Sequence, residues 1–357
     1  MKNIERLLQT EGDKTKERLA GEDCAQAFQS CRLPPLLPQI LRPEVRKILF
    51  SLLLLVGFLA GICPLEARGR REVGPVHPTY VVYDSYQRPV QLSRVPERIV
   101  SCAPNLTEIL FFIGEGKRLV GRTDWCNWPE EVTQLPSVGG LQDPSIEKIL
   151  SLQPDLVVAS THFQKETLQM LETLRIPVFV GVVHREYAEV YELIIKVGTL
   201  VQQEEKARRK ARELAEQVEA LRTLTEPLSP KPTVYYMISF GDEGDYTAGK
   251  DTHISQLIRW AGGINIADDI VGWQYSREAL LLKNPNIILV GKGRRAVEQL
   301  KALSPYRNLK AVKEGRVYEI NNDLLDRMGP RNLEGLRELV RLFHPELKLD
   351  QAERGKP

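Results

Sequence analysis

From residue 203 to 223 the chain reads QEEKARRKARELAEQVEALRT, without a glycine or a proline. Ala207, Ala211, Leu214, Val218 and Leu221 recur at steps of four and three, so the spacing predicts one helix with an apolar stripe and a charged opposite face. At 1.5 Å per residue such a helix is about 30 Å long, roughly the width of a small domain. It would serve either as a stiff rod bracing two lobes or as an ordinary amphipathic surface helix.

The flanks favour the rod. SIEKILSLQPDLVVA precedes it and SREALLLKNPNIILV follows it, and both obey S-x-E-x-x-L-x-x-x-P before an apolar run. Ser145, Glu147, Leu150 and Pro154 occupy the pattern in one, Ser276, Glu278, Leu281 and Pro285 in the other. Each reads as a Ser-capped helix, a proline turn and a buried parallel strand, half of an α/β layer. The expected fold class is therefore α/β, with two similar lobes joined by one long rigid α-helix and a cleft between them. Chance likeness between two αβ units is the competing explanation.

The rest of the pattern supplies boundaries. Residues 80–97 alternate as a leading β-hairpin with its turn near Ser85 to Arg88. Residues 98–200 form the N-terminal lobe, with strands expected at 96–101, 119–121, 156–159 and 177–183 and a helix at 104–113. Beyond the 203–223 helix, residues 232–350 form the C-terminal lobe, with strands at 232–240, 287–290 and 316–320. Residues 1–44 are charged and then proline-rich, and read as disordered or untranslated. Residues 45–67 combine a basic pair with the apolar run Ile48 to Ile62, too short for a comfortable membrane span and matching a secretory signal peptide. Translation is expected to start near Val45 and cleavage to follow Ala67. Cys63 stands in a sequence similar to a lipoprotein box, so a lipid anchor there is the alternative to a free extracytoplasmic protein.

Composition narrows the field. The chain has 357 residues, 42% of them hydrophobic and 27% charged, with a formal net charge of +2. That length can bury two ordinary cores, and the charge speaks against a membrane bundle. There is no basic stripe with interleaved aromatics, no zinc-finger cysteine spacing and no phosphate-binding glycine loop, so nucleic acid is not expected as a partner. Of the five cysteines, Cys102 and Cys126 remain after the expected cleavage. They would form a disulfide or two buried thiols.

Candidate chemistry is concentrated in loops. Trp125 and Trp128 stand three apart in TDWCNWP and suggest a platform for a flat ligand, unless they merely pack the loop. His162 and His184 follow expected strands and so border the crevice where α/β sheets hold ligands. They show no metal-ligand spacing, and no metal site is expected, although His253 could join them from the other lobe. Trp273, Tyr275 and Ser276 precede Glu278 on a loop that could face the cleft. Asp323 and Arg327, four apart, would pair on a helix or offer polar contacts to a ligand.

PERIVSCAPNLTEILFFIG, LVGRTDWCNWP, SIEKILSLQPDLVVA, YTAGKDTHISQLIRWAGG and YSREALLLKNPNIILV, in this order, resemble signature segments of one family. It is the class III periplasmic substrate-binding proteins, which feed cobalamin, haem or iron-siderophore importers of the ABC type. The resemblance covers nearly all of 82–342. It implies two Rossmann-like lobes, a rigid connecting helix, a transported small molecule in the cleft, no resident cofactor and no catalysis. It further implies an ABC permease dimer as partner, with Glu147 and Glu278 as the docking contacts. The cobalamin-binding branch is the most similar. Trp125 falls where that branch lays an aromatic against the corrin, and Asp323 and Arg327 match its polar contacts. Leu141, Ser160 and Gly272 depart from it, standing where tryptophans are expected, with Trp273 beside one of them. The expected ligand set is Trp125, Trp128, Tyr246, Trp273, Asp323 and Arg327 around a corrinoid. Haem or an iron-siderophore is the alternative, with His162, His184 or Tyr246 to ligate it. An exported hydrolase fits less well, because no G-x-S-x-G elbow occurs and the two glutamates lie in different lobes. A structural surface protein without a ligand is the third reading.

Overall fold

The leading hairpin folds about a buried carboxylate. Strands β1 (Tyr80–Tyr83) and β2 (Pro89–Leu92) pair antiparallel, Tyr80 opposite Leu92 and Tyr83 opposite Pro89. Asp84, fully buried, accepts from the backbone N–H groups of Tyr86 and Arg88 and pairs with the Arg88 guanidinium at 2.6 Å. These bonds satisfy the turn's donors and fix the hairpin register. The computed structural model describes residues 80–347 and Leu349, apart from 242, 243 and 294. The expectations for residues 1–44, for the signal peptide at 45–67 and for Cys63 lie outside the described residues.

The first lobe carries a four-stranded parallel sheet in the order β4-β3-β5-β6, built from β3 (Ile99–Ser101), β4 (Leu119–Arg122), β5 (Leu156–Ala159) and β6 (Val178–Val180). The second carries another, in the order β8-β7-β9-β10, from β7 (Thr233–Met237), β8 (Ile264–Asn265), β9 (Ile287–Gly291) and β10 (Val317–Ile320). In both, the lobe's first strand lies between its second and third, with the fourth at the far edge. The same order twice is what a duplicated architecture predicts, and each sheet has its switch point beside its first strand. Most residues of the two sheets are buried, because helices cover both faces of a parallel sheet.

Helices α1 (Pro104–Phe112), α2 (Ile146–Ser151), α3 (Lys165–Thr173) and α4 (Ala188–Leu200) serve the first lobe. The connecting helix α5 spans Glu204–Thr225, two residues beyond the predicted end, since neither Leu224 nor Thr225 breaks a helix. Its stripe of Ala207, Ala211, Leu214 and Val218 is buried as the periodicity requires. At 22 residues it is about 33 Å long. Gly198 of α4 lets it seat closely, because a Cβ there would stand 2.3 Å from that of Ala207. At its far end the Thr225 hydroxyl donates to the Trp260 carbonyl at 2.6 Å, and Arg222 lies over the Trp260 ring. One helix is thus fastened to both lobes.

The second lobe adds α6 (His253–Trp260), α7 (Arg277–Lys283), α8 (Ala296–Ala302), α9 (Lys310–Lys313), α10 (Asp323–Asp326) and α11 (Asn332–Phe343). Several strands differ from expectation in their bounds: β3 begins at Ile99 instead of 96, and β7 ends at Met237 instead of 240. β8 was not foreseen, since a two-residue strand carries no readable alternation. β6 ends at Val180 instead of running to 183. No helix among the described residues is long and apolar enough to cross a membrane.

Candidate functional site

The carboxyl ends of the strands face a cavity of about 300 Å³. The first lobe lines it with Pro104 and Asn105 at the start of α1, Trp125 after β4, Leu141, Ser160 to His162 after β5, and Gly181 to Val183 after β6. The second lobe contributes Asn322, Asp323, Asp326, Arg327 and Met328, which follow β10. Three of the predicted ligand residues, Trp125, Asp323 and Arg327, therefore meet at one cavity. So do Leu141 and Ser160, two of the departures from the cobalamin-binding pattern.

Trp125 is 58% exposed, an unusual state for a tryptophan and one that leaves its ring face free to be covered. Arg327 is the centre of the polar wall. It pairs with Asp323 at 2.9 Å and with the first lobe's Glu108 at 2.9 Å, and donates to Asn127 Oδ1 and the Trp125 carbonyl at 2.9 and 3.0 Å. The Asp323–Arg327 spacing is thus an ion pair from α10 to its C-cap, at the wall of the cleft. Asp326 accepts from the Tyr236 hydroxyl at 2.7 Å and from Asn322 Nδ2 at 3.0 Å, which fixes the short α10 against β7. Burial pushes the Glu108 carboxyl above its ordinary range, while Arg327 and Arg331 pull it back.

The remaining predicted ligand residues lie elsewhere. Trp128 turns away from the cleft: the Arg331 guanidinium stacks on its ring at 4.5 Å, and it lines a separate cavity of about 220 Å³ against the connecting helix. Arg331 offers a flat cation there that the loop spacing alone did not reveal. Tyr246 and Trp273 are exposed and do not line the 300 Å³ cavity. They belong to a small ladder in which Tyr246 bridges Ser239 and Gln274, and Thr247 N–H donates to the Trp273 carbonyl. Among the described histidines only His162 lines the cavity. His184 makes an edge contact with Tyr86. His253 is buried with Nε2 bonded to the Leu325 carbonyl, and burial pushes its pKa down to about 4. No group of three or more His, Cys, Asp or Glu side chains fit to hold a metal ion occurs among the described residues. Cys102 and Cys126 are free and buried, and burial pushes the Cys102 thiol up.

Glu147 and Glu278 occupy the first turns of α2 and α7, equivalent helices of the two lobes, and both are exposed. Ser145 and Ser276 cap these helices, accepting from the N–H of Lys148 and of Ala279. The Ser276 hydroxyl also donates to Glu278 at 2.7 Å, and this bond holds the Glu278 carboxyl below the usual range. Residues that sequence reasoning missed include Asn105, Asn322, Asp326 and Glu108. Glu108 left one signal, as the only charge in the apolar helix PNLTEILFF.

Two parallel α/β lobes, a single long connecting helix and a cavity at the facing strand ends define a two-lobed binding protein. The sequence profile of the family described as Periplasmic binding protein matches residues 99–324. The chain belongs to that family, the substrate-binding proteins of transporters. It is 30% identical to the uncharacterized ABC transporter substrate-binding lipoprotein YvrC of Bacillus subtilis, over 79% of this chain and 89% of that one. It is 28% identical to the vitamin B12-binding protein of Pectobacterium atrosepticum, over 71% of this chain and 91% of the relative. Among solved structures, the periplasmic heme-binding protein RhuT of Roseiflexus sp. RS-1, in apo form, matches with a TM-score of 0.65 and 28% identity, over 70% of this chain and 98% of that one.

Proposed function

We propose that the protein is an extracytoplasmic receptor that captures a corrinoid between its lobes and delivers it to an ABC permease. The observation that carries this reading is the exposed Trp125 indole at a cavity whose polar lining includes Asp323 and Arg327. A flat macrocycle covers the indole, and the polar wall meets its amide-bearing rim. Burying some 300 Å² of apolar surface is worth about 7 to 8 kcal/mol before association entropy is subtracted. Micromolar or tighter binding follows. The vitamin B12-binding relatives point the same way.

Glu147 and Glu278 are the docking contacts in this reading. One carboxylate at the same place on each lobe makes a pair with approximate twofold symmetry, suited to a permease dimer that offers one basic patch per subunit.

A second reading, haem as the transported ligand, rests on His162, whose imidazole lines the cavity where it would reach a haem iron. Calorimetric titration with hydroxocobalamin and hemin decides between them. The corrinoid is expected to bind at micromolar concentration or below and hemin to bind more weakly. Tighter hemin binding that is lost in His162→Ala overturns the corrinoid assignment, and failure of both to bind overturns the tetrapyrrole reading.

A further inference from the structure

Glu108 is a buried carboxylate outside the cavity lining, yet it is tied to the cavity's polar wall. It lies on α1 of the first lobe, 1% exposed. Its Oε1 accepts from Arg327 Nη1 at 2.9 Å and from Arg331 Nη1 at 3.3 Å, both from the second lobe. A carboxylate sealed from water and gripped by two guanidinium groups is expensive to leave half-paired, so this contact resists separation of the lobes there.

Hydrogen counting on Arg327 shows what the grip does. Each terminal nitrogen of a guanidinium carries two N–H bonds. On Nη1 they go to Glu108 Oε1 and Asn127 Oδ1, while Nη2 donates to the Trp125 carbonyl and lies in ion-pair contact with Asp323 Oδ2 at 2.9 Å. The side chain is only 10% exposed. Arg327 therefore cannot present a free fork of Nη donors to a ligand without releasing one of these partners. Three of the four lie in the first lobe, and one is the main chain of the exposed tryptophan itself.

We infer that Glu108 is a positioning residue for ligand binding: by holding Arg327 in the polar wall of the cleft, it fixes the Trp125 main chain and so the attitude of the indole. Glu108 touches no ligand and acts through Arg327. The inference rests on the reading of Trp125 as the ligand platform, and the following cycle separates the two.

Affinity for whichever of hydroxocobalamin and hemin the wild type takes is measured for the wild type, W125A, E108Q and the double variant. E108Q keeps the side-chain shape and removes the charge. W125A and E108Q are each expected to weaken binding on the order of tenfold. The double variant is expected to bind no more weakly than W125A alone, because an indole that is absent cannot be mispositioned. Wild-type affinity in E108Q overturns the inference, and so do losses that multiply in the double variant, which mark a general structural effect. Wild-type affinity in W125A removes the platform reading and this inference with it. Should E108Q not fold, E108D carries the same cycle, keeping the charge while drawing the carboxylate back by one methylene.

Discussion

Trp125 and His253 show opposite uses of a side chain that is costly to place. The indole stands in solvent and, in the proposed reading, offers its face to a ligand. The imidazole of His253 is buried and neutral, and this state links stability to pH. Its pKa is about 4 in the fold against about 6.5 in the unfolded chain. Above the unfolded value neither state takes up a proton, and the contribution is complete. As pH falls from about 6.5 towards 4 the unfolded chain is protonated first, and stability is lost by on the order of 3 kcal/mol. Denaturant midpoints of wild type and His253→Gln at pH 7 and pH 4.5 isolate this effect from that of the carboxylates. The wild type is expected to lose more stability than the variant over that interval. Equal losses would mean that His253 is not held neutral.

Helices α2 and α7 carry the docking proposal at the scale of elements. Each has a serine cap and a glutamate in its first turn, where the helix dipole favours a negative charge by about 0.3 to 1 kcal/mol. That local role accounts for an acidic residue at each position, but it does not require both to be exposed on equivalent helices of the two lobes. Reversing both charges, Glu147→Lys with Glu278→Lys, is expected to abolish ligand uptake by cells while affinity in solution stays within about twofold. A parallel fall in affinity would move these residues from docking to binding. Both helices were legible in the sequence because a cap, a glutamate and a proline turn repeat at fixed spacing. The connecting helix was equally plain, since an apolar stripe kept over about four turns, Ala207 to Leu221, leaves one solution. β8 was not, because two residues have no period. That Trp128 lies outside the cavity was not legible, because two aromatics three apart in a loop share no face that spacing can define, and the stacking Arg331 is distant in sequence. Glu108 escaped notice for a related reason. Its partners come from the other lobe, and only the assembled cleft shows why an apolar helix carries a charge.

The described residues form two copies of one sheet order held apart by a strut and fastened across the gap. Besides Glu108 and Arg327, Tyr187 N–H donates to Gln256 Oε1 at 2.9 Å and its ring packs edge-on against Trp260. Asn105 Nδ2 reaches the Met328 carbonyl at 3.4 Å. A 22-residue helix seated on both lobes, with buried ties beside it, leaves no flexible crossover about which they could swing. The receptor is therefore expected to accept its ligand into a nearly preformed cleft. The crystal structure of the protein bound to hydroxocobalamin tests this most directly. The account predicts a corrin ring between the lobes, one face against Trp125 and its rim near Asp323, with the lobes oriented as they are here. A corrinoid bound outside the cleft, or lobes swung together by a large hinge rotation, would contradict it.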